Sequence, residues 1–261
     1  MKQTWLMAIA VLLMLATCPI DTKAADNKID GNEKKVDNKS GYALAYGLYG
    51  NVKEVRMSLC KLTDVDPAED PWVESDKLEY AFDHFGRITT DVQGNLFKYD
   101  DNGNISMLLY GNTAVKEIIL DNKGRIESFL KQDGLNDRDM ESRSFTYDAQ
   151  GRPLTEESGY WEAINQDSLV YDGDKIYPVK CFTSGAAEAE SYEYVTEYRY
   201  TKFDEQGNWT ERYITTNGYE MIADDESTRT KTHSENLERR VITYYTDKEL
   251  SIEKKSKKTK K

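Results

Sequence analysis

The sequence predicts an all-β protein, built as an antiparallel meander of repeated short hairpins. Two observations predict this fold. Short segments alternate apolar or aromatic residues with polar ones, as at Val55, Met57 and Leu59, and such period-two patterning is typical of strands. A turn motif, Asp-x-x-Gly followed by Arg or Asn, also recurs six times, which indicates a repeat architecture.

Each copy of the motif has the residues of a hairpin turn. The Asp side chain can accept hydrogen bonds from backbone N–H groups two residues on, and the Gly tolerates a positive φ. A type I turn followed by such a residue is the G1-bulge hairpin loop. The copies span Asp83–Arg87, Asp91–Asn95, Asp100–Asn104, Asp121–Arg125, Asp148–Arg152 and Asp204–Asn208, with the glycines Gly86, Gly94, Gly103, Gly124, Gly151 and Gly207. A degenerate copy lies at 171–176.

The chain begins with the features of a secretory signal peptide, which we assign to residues 1–24. Lys2 precedes an apolar run of twelve residues at 5–16, and Thr22 and Ala24 occupy the small-residue positions of a cleavage site. Lipoprotein processing at Cys18 is the alternative. Both predict export, to the periplasm, the outer membrane or the medium. The run is too short to span a bilayer of about 30 Å, and no later stretch is longer, so no integral membrane segment is expected after signal removal.

Composition divides the rest of the chain into three parts. Residues 25–41 are polar and are predicted to be a flexible leader. Residues 42–246 carry the strand patterns and form the predicted β domain, with loops expected at the acidic or small-residue stretches 64–77, 133–143, 184–191 and 224–236. Residues 247–261 are Lys-rich and are predicted to be a disordered tail.

Charge and composition exclude several classes of protein. A net charge of -12 argues against a nucleic-acid partner, because such binders present basic patches to phosphate. A mean hydropathy of -0.76 argues against an integral membrane protein. The 18 tyrosines argue against a disordered chain, so a folded, polar, aromatic-rich protein is expected.

Two cysteines remain after signal removal, Cys60 and Cys181. In an oxidising compartment they are candidates for a disulfide. The alternative is that both are buried reduced thiols that pack as small apolar groups.

The sequence carries no recognisable catalytic or cofactor motif. Its two histidines, His84 and His233, stand apart from any metal-ligand spacing, and no catalytic residue, metal or cofactor is predicted. The acidic cluster at 100–104 resembles a calcium loop but lacks the alternating ligands and distal Glu, which leaves weak surface calcium binding as the alternative.

Aromatic side chains are the best candidates for a binding surface. Tyr192, Tyr194, Tyr198 and Tyr200 alternate along one strand, and Trp209 and Tyr213 are expected to share a face of the next strand. Exposed on a sheet, these rings could stack on sugars or anchor a protein. The alternative is that they form the core face of a thin sheet. The candidate binding residues are Tyr194, Tyr198, Tyr200, Trp209 and Tyr213.

The segments Tyr99–Ile105, Tyr147–Leu154 and Phe203–Trp209 resemble the YD repeat of RHS-type bacterial proteins. The GLYGNVKEV stretch at 47–55 and the GNWTER and RRVITYY stretches near the end are similar to uncharacterised secreted proteins of Bacteroidetes-type bacteria. The resemblance implies consecutive hairpins in an open sheet of the YD-repeat or MORN-repeat type. The copies are too few and too irregularly spaced for the toxin-enclosing shell of large RHS proteins.

The function that these features predict is an exported, non-catalytic binding or interaction module of a bacterial envelope, with a protein or glycan partner. One alternative is a glycan-active hydrolase that uses paired carboxylates, because Asp and Glu total 47. The other is a purely structural scaffold. The missing catalytic constellation places the enzyme behind the two non-catalytic roles.

Overall fold

In the computed structural model of the chain, residues 43–63, 71–91, 94–110, 113–132, 140–160, 163–222 and 225–250 are described. The expected signal peptide and leader lie outside these ranges. The all-β prediction is confirmed, since the described residues form fifteen strands in one antiparallel sheet. The strands are β1 Val52–Lys61, β2 Trp72–Phe82, β3 Ile88–Asp91, β4 Leu96–Tyr99, β5 Ile105–Tyr110, β6 Thr113–Ala114, β7 Lys116–Leu120, β8 Ile126–Gln132, β9 Met140–Tyr147, β10 Pro153–Tyr160, β11 Ala163–Tyr171, β12 Pro178–Ala187, β13 Glu190–Phe203, β14 Trp209–Ile222 and β15 Asp225–Tyr244.

Helical structure in the described ranges is short. A 3-10 helix spans Ala43–Tyr46, and a helical turn spans 247–250. Neither is long and apolar enough to cross a membrane.

The sheet is a meander whose first and last strands meet. Strands that follow each other in sequence pair as neighbours, except β6 and β7. In addition, β1 pairs with the end of β15, from Val52 opposite Tyr244 to Lys61 opposite Asn236. The two ends of the strand order, β6 and β7, are separated in the chain by Val115 alone. Because a single residue joins these two strands and β6 also contacts β8, the sheet nearly closes on itself. It is therefore more curved than the open sheet that the family resemblance implies.

All six motif glycines have a positive φ, between 76° and 87°. In the Asp148 copy, the Gly151 N–H donates to the Asp148 carbonyl at 3.1 Å, and the Asp148 N–H donates to the Arg152 carbonyl at 3.0 Å. The other five copies make the same two bonds. Since strand direction alternates, five copies lie at the end of the sheet where β1 begins, and the Asp91 copy lies at the other end.

The fifth motif position has a role that the sequence analysis missed. In five copies the second carboxylate oxygen of the motif Asp accepts an N–H from this side chain, for example from Arg125 Nε to Asp121 at 2.6 Å or from Asn95 Nδ2 to Asp91 at 2.8 Å. In the sixth copy this oxygen of Asp204 accepts the Tyr244 hydroxyl instead, and Asn208 donates to that hydroxyl oxygen. Arg and Asn both present a planar N–H donor, which explains why these two residue types alternate there.

A tyrosine before the motif Asp connects neighbouring hairpins. The Tyr147 ring covers the Arg125 guanidinium at 4.2 Å, and its hydroxyl donates to the Ile126 carbonyl at 2.7 Å. Tyr99 and Tyr171 make the same pair of contacts to the hairpins before them, Tyr99 with Arg87 and Ile88, and Tyr171 with Arg152 and Pro153. At these three turns, which include the degenerate copy 171–176, the Tyr-Asp dipeptide thus fixes a hairpin to an earlier one.

The motif carboxylates are expected to make the free energy of unfolding depend on pH. Burial works to raise the pKa of Asp148, but hydrogen bonds from the Arg152 backbone and guanidinium outweigh it and hold the pKa below its ordinary value. A depressed folded-state pKa gives stability that is present above the unfolded-state pKa and lost as pH falls through the folded-state pKa. We expect Asp148→Asn to cost about 1–2 kcal/mol at about pH 7 and much less at about pH 2.5.

Urea unfolding of both proteins at the two pH values checks this expectation. Asp101→Asn is the control, because Asp101 is exposed at a free turn position. An equal deficit for Asp148→Asn at both pH values would show that its charge is irrelevant.

The buried apolar residues form two small clusters. One contains Val52, Val55 and Ile88 beneath the N-terminal segment, whose Ala43 and Leu48 belong to the same cluster. The other contains Ile105, Leu108, Val115, Ile126 and Phe129 where the two ends of the strand order meet. The second cluster therefore packs across the seam of the sheet.

Several sequence-based boundaries are wrong. Stretches expected to be loops are largely strand: 72–77 belongs to β2, 140–143 to β9, 184–187 and 190–191 to β12 and β13, and 225–236 to β15. Backbone hydrogen bonds to neighbouring strands support these polar segments. Residues 141–143, 184–187 and 190–191 pair with a strand on each side, whereas 72–77 pairs with β1 alone and 225–235 with β14 alone. The expected loop residues 64–70 and 133–139 lie outside the described ranges.

The predicted disordered tail is wrong at its first residues. Residues 247–250 form a helical turn, and Thr246 caps it. The Glu249 carboxylate accepts the Thr246 N–H at 2.7 Å, and the Thr246 hydroxyl accepts the Glu249 N–H at 3.3 Å. This is a capping box, and its Thr-x-x-Glu spacing is readable in the sequence. Residues 251–261 lie outside the described ranges.

The candidate disulfide is not formed. Cys60 and Cys181 are both free and buried, as the reduced-thiol alternative predicts. Cys60 lies on β1 and Cys181 on β12, with β15, β14 and β13 between them in the strand order. Strands pair at about 4.8 Å, so the two Cα atoms lie far beyond the ~7 Å that a disulfide spans.

Gly218 and Gly185 permit the rings of Tyr194 and Tyr192 to lie across the sheet. A Cβ at Gly218 would overlap the Glu193 backbone oxygen and the Tyr194 ring. Backbone cannot give way cheaply, so we expect Gly218→Ala to destabilise the protein by about 1–3 kcal/mol. At Gly159 a Cβ would meet only the Ser142 hydroxyl, at 3.0 Å, and one backbone oxygen at 4.0 Å.

Thermal unfolding of Gly218→Ala beside the matched control Gly159→Ala measures this difference. If both variants shift the midpoint equally, the close approach of Tyr194 to Gly218 has no energetic importance.

Candidate functional site

The inner face of the curled sheet lines a partly open cavity of about 420 Å³, which we call the internal cavity. Side chains of β2, β8–β12, β14 and β15 line it together with the N-terminal segment 45–47 and the 176–178 segment. Seven lining residues are aromatic, among them Tyr46, Tyr80, Tyr171, Tyr177 and Trp209. The volume lies within the range of about 300–1,000 Å³ that is typical of small-molecule sites.

Four charged side chains form a row along this face, which we call the buried ladder: Glu79, Arg240, Glu238 and Arg212. Arg240 Nη2 donates to Glu79 Oε1. Arg212 Nε donates to Glu238 Oε2 at 2.8 Å, and Arg240 Nε lies 3.7 Å from Glu238 Oε1. The two carboxylates and two guanidiniums give the ladder no net formal charge.

Strand register brings the ladder together. Glu238 and Arg240 alternate on β15 and so share a face, and Arg212 on β14 is opposite Glu238. On β2 the register skips one residue. Tyr80 pairs with Val55 and Leu78 pairs with the next residue of β1, so Glu79 between them is a bulge. The bulge allows the adjacent residues Glu79 and Tyr80 both to line the cavity, which regular pleating forbids.

The Trp209 ring packs against both arginines of the ladder. It lies 3.7 Å from the Arg240 guanidinium and 4.3 Å from that of Arg212, and Arg212 also lies 4.6 Å from the Tyr198 ring. Guanidinium groups packed on aromatic rings are favourable, and more so when desolvated. Trp209 itself is 2% exposed, so it holds the arginines in place and offers no open face.

Hydrogen-bonding capacity is left over in the ladder. Glu79 Oε2, Glu238 Oε1 and Arg240 Nε are buried and have no hydrogen-bond partner among the described residues. The side chains of Glu79 and Arg240 are only 8% and 6% exposed. A buried polar group without a partner costs about 1–3 kcal/mol, so such groups need an explanation.

Two carboxylates of the cavity have perturbed pKa values. Burial raises the pKa of Glu79, against the opposing effect of Arg240. Burial likewise raises the pKa of Glu156 on β10, although Arg143 Nη1 donates to Glu156 Oε1 at 2.8 Å. Perturbed carboxylates in a concave site are typical of functional sites.

The structure brings only some of the sequence-predicted binding residues together. Tyr198, Tyr200 and Trp209 meet around Arg212, with Tyr200 and Trp209 ring centroids 5.6 Å apart. Tyr194 lies farther along β13, where it stacks on Tyr192 at 5.2 Å and donates to Glu220.

The expectation that Trp209 and Tyr213 share a face is wrong. The register between β13 and β14 shifts twice near Lys202, so Trp209 lies on the cavity side. Tyr213 pairs with Arg199 on the opposite face, and that guanidinium lies 4.2 Å from its ring. An inserted residue reverses which face a later side chain occupies.

The side chains most often used in catalysis lie away from the ladder. His84 stacks on Phe85 inside a turn, and His233 shares a hydrogen bond with Asn217 on the outer face. Burial raises the pKa of the Cys181 thiol, which favours its unreactive protonated form. Within the described ranges, no group of three or more His, Cys, Asp or Glu side chains could hold a metal ion. Asp100, the calcium-like residue, accepts N–H groups from Asn102 and Asn104 as a turn former.

A second, larger groove of about 650 Å³ lies on the outer face across β11–β15. Phe182, 46% exposed, lies in it with Val195, Tyr219, Lys231 and His233. It lacks buried charged groups of the kind found in the ladder.

The ladder was the main feature that sequence analysis missed. In the sequence, its only signal is the pair of charges at alternate positions of the Glu238-Arg-Arg segment. The other two ladder residues, Glu79 on β2 and Arg212 on β14, reach this segment only through a bulge and through strand pairing across long sequence separations. No family model matches this sequence, and no curated protein matches it either.

Proposed function

We propose that this chain is an exported, non-catalytic binding module of a bacterial envelope, and that the internal cavity binds a small molecule. The observation that carries the proposal is the cavity itself, where aromatic rings surround buried charged groups with unused hydrogen-bonding atoms. Apolar walls with a few fixed polar groups are the usual composition of a ligand site. Export rests on the N-terminal sequence, and the repeat type on the resemblance to YD repeats.

A second candidate, a glycan-active hydrolase, is favoured by one observation. Glu79 and Glu156 both line the cavity, and burial raises the pKa of each. A general acid for glycoside hydrolysis needs such a raised pKa beside a second carboxylate. The pairing of each Glu with an arginine supports binding over catalysis, because a neighbouring guanidinium lowers the pKa of the carboxyl and so opposes the protonated form that a general acid needs.

NMR titration with cyclohexanol, a neutral ring-sized probe, tests the binding proposal. We expect shift changes at the Trp209 indole N–H and in the 45–47 and 176–178 segments, which line the cavity. Changes confined to the outer groove around Phe182, or none at all, would contradict the proposal.

Release of 4-nitrophenol from neutral 4-nitrophenyl glycosides tests the hydrolase alternative. We expect the same background release from the protein and from Glu79→Gln and Glu156→Gln. Turnover that either substitution abolishes would establish the hydrolase instead.

A further inference from the structure

We propose that the ligand of the internal cavity is a neutral sugar of one or two rings, bound through its hydroxyl groups by Glu79 and Arg240. This inference rests on the proposed function, because it names the ligand class of that same cavity.

The first argument is the arrangement of the free atoms. Arg240 Nη2 is bonded to Glu79 Oε1, which leaves the acceptor Glu79 Oε2 without a hydrogen-bond partner in the described part of the chain. The donor Arg240 Nε, on the other side chain of this pair, likewise makes no hydrogen bond there, since its ion-pair partner Glu238 Oε1 lies 3.7 Å away. Both side chains line the cavity and are more than nine-tenths buried. A hydroxyl donates and accepts at once, so one hydroxyl or two adjacent ones can satisfy both atoms.

The second argument is charge. The ladder already balances two carboxylates with two guanidiniums, and the nearby Glu156 is paired with Arg143. A charged ligand would lose its hydration without gaining an unpaired counter-charge, which is strongly unfavourable in a buried site. A neutral polyhydroxylated ligand meets the free hydrogen-bonding atoms without that penalty.

The third argument is the shape and chemistry of the walls. Tyr80, Tyr171 and Tyr177 line the cavity, and the apolar face of a sugar ring packs well on aromatic rings. A volume of about 420 Å³ holds a small ligand, and the N-terminal segment at 45–47 forms part of the wall. The cavity therefore fits a mono- or disaccharide better than a polymer.

Calorimetric titration of the full chain with D-glucose, D-galactose, N-acetylglucosamine, maltose and cellobiose tests the proposal. We expect at least one neutral sugar to bind, and its uronic acid counterpart to bind at least tenfold more weakly. Glu79→Gln should weaken that sugar at least tenfold, whereas Glu157→Gln, exposed on the same β10 strand as Glu156, should leave its affinity unchanged. NMR mapping of the sugar on the unmodified protein gives the site without any variant.

The outcomes distinguish failure of the sugar proposal from failure of the proposed small-molecule binding function. Cyclohexanol binding in the cavity without binding of any neutral sugar would overturn the sugar proposal and leave the binding function standing. Failure of both probes would overturn both. A sugar that maps to the outer groove, or that binds Glu79→Gln as well as the unmodified protein, would also overturn the sugar proposal.

Discussion

Replacing Trp209 with alanine is expected to lower the free energy of unfolding by about 3–5 kcal/mol, the range for a fully buried aromatic residue. The ring is 2% exposed and packs against Arg240, Arg212 and Tyr200. Its removal opens a void and takes away the surface on which both guanidiniums rest. Desolvated arginines without this surface lose a favourable contact and gain no water in exchange.

Chemical denaturation followed by circular dichroism measures the effect, with Phe182→Ala as the matched control. Phe182 is also aromatic and also lies in the sheet, but it is 46% exposed on the outer face. We expect the control to lose less than about 1 kcal/mol, the worth of a cross-strand pair. Similar losses in the two variants would mean that Trp209 is not the structural centre of the ladder.

This contrast shows which parts of the molecule could be predicted from local sequence. The six hairpin turns depend on five consecutive residues each, because Asp and Gly set the turn within the motif itself. Alternation likewise predicted that Tyr198 and Tyr200 share a face. Interactions between residues near in sequence leave a pattern that can be recognised without knowing the fold.

The ladder could not be predicted in the same way. Glu79 meets Arg240 across 161 positions of sequence, and only the pairing of β1 with both β2 and β15 brings them together. The bulge at Glu79 and the register shifts near Lys202 invert the faces that strict alternation assigns. Trp209 shows this. Its burial agrees with the alternative that the aromatic residues form a core face, but it lies on the opposite face from Tyr213, with which it was expected to share a face.

The Glu79–Arg240 pair has the other large expected effect. Arg240→Met leaves the Glu79 carboxylate buried without its partner, which we expect to cost about 3–5 kcal/mol at neutral pH. Glu79→Leu removes the hydrogen-bonded partner of Arg240 and leaves it, of the described carboxylates, only that of Glu238, 3.7 Å away, so it should also destabilise the protein. The double variant replaces the pair with apolar side chains, so its loss is expected to be clearly smaller than the sum of the two single losses.

The pH dependence of the Arg240→Met deficit gives a second readout. Burial raises the folded-state pKa of Glu79, and Arg240 opposes that rise. A carboxyl with a raised folded-state pKa loses stability as pH rises from its unfolded-state pKa through its folded-state pKa. Without Arg240 the rise is larger, so the deficit should be small at about pH 4, where Glu79 is largely protonated, and large at about pH 7.

Urea unfolding of the four proteins of this cycle at both pH values distinguishes charge from packing. If the Arg240→Met deficit is the same at pH 4 and pH 7, the loss reflects packing against Trp209 rather than the exposed charge of Glu79. If the double variant loses the full sum of the single variants, the two side chains act independently despite their contact. A deficit that grows with pH and is relieved by Glu79→Leu would mean that Arg240 is retained in the cavity to neutralise a carboxylate whose burial is otherwise unfavourable.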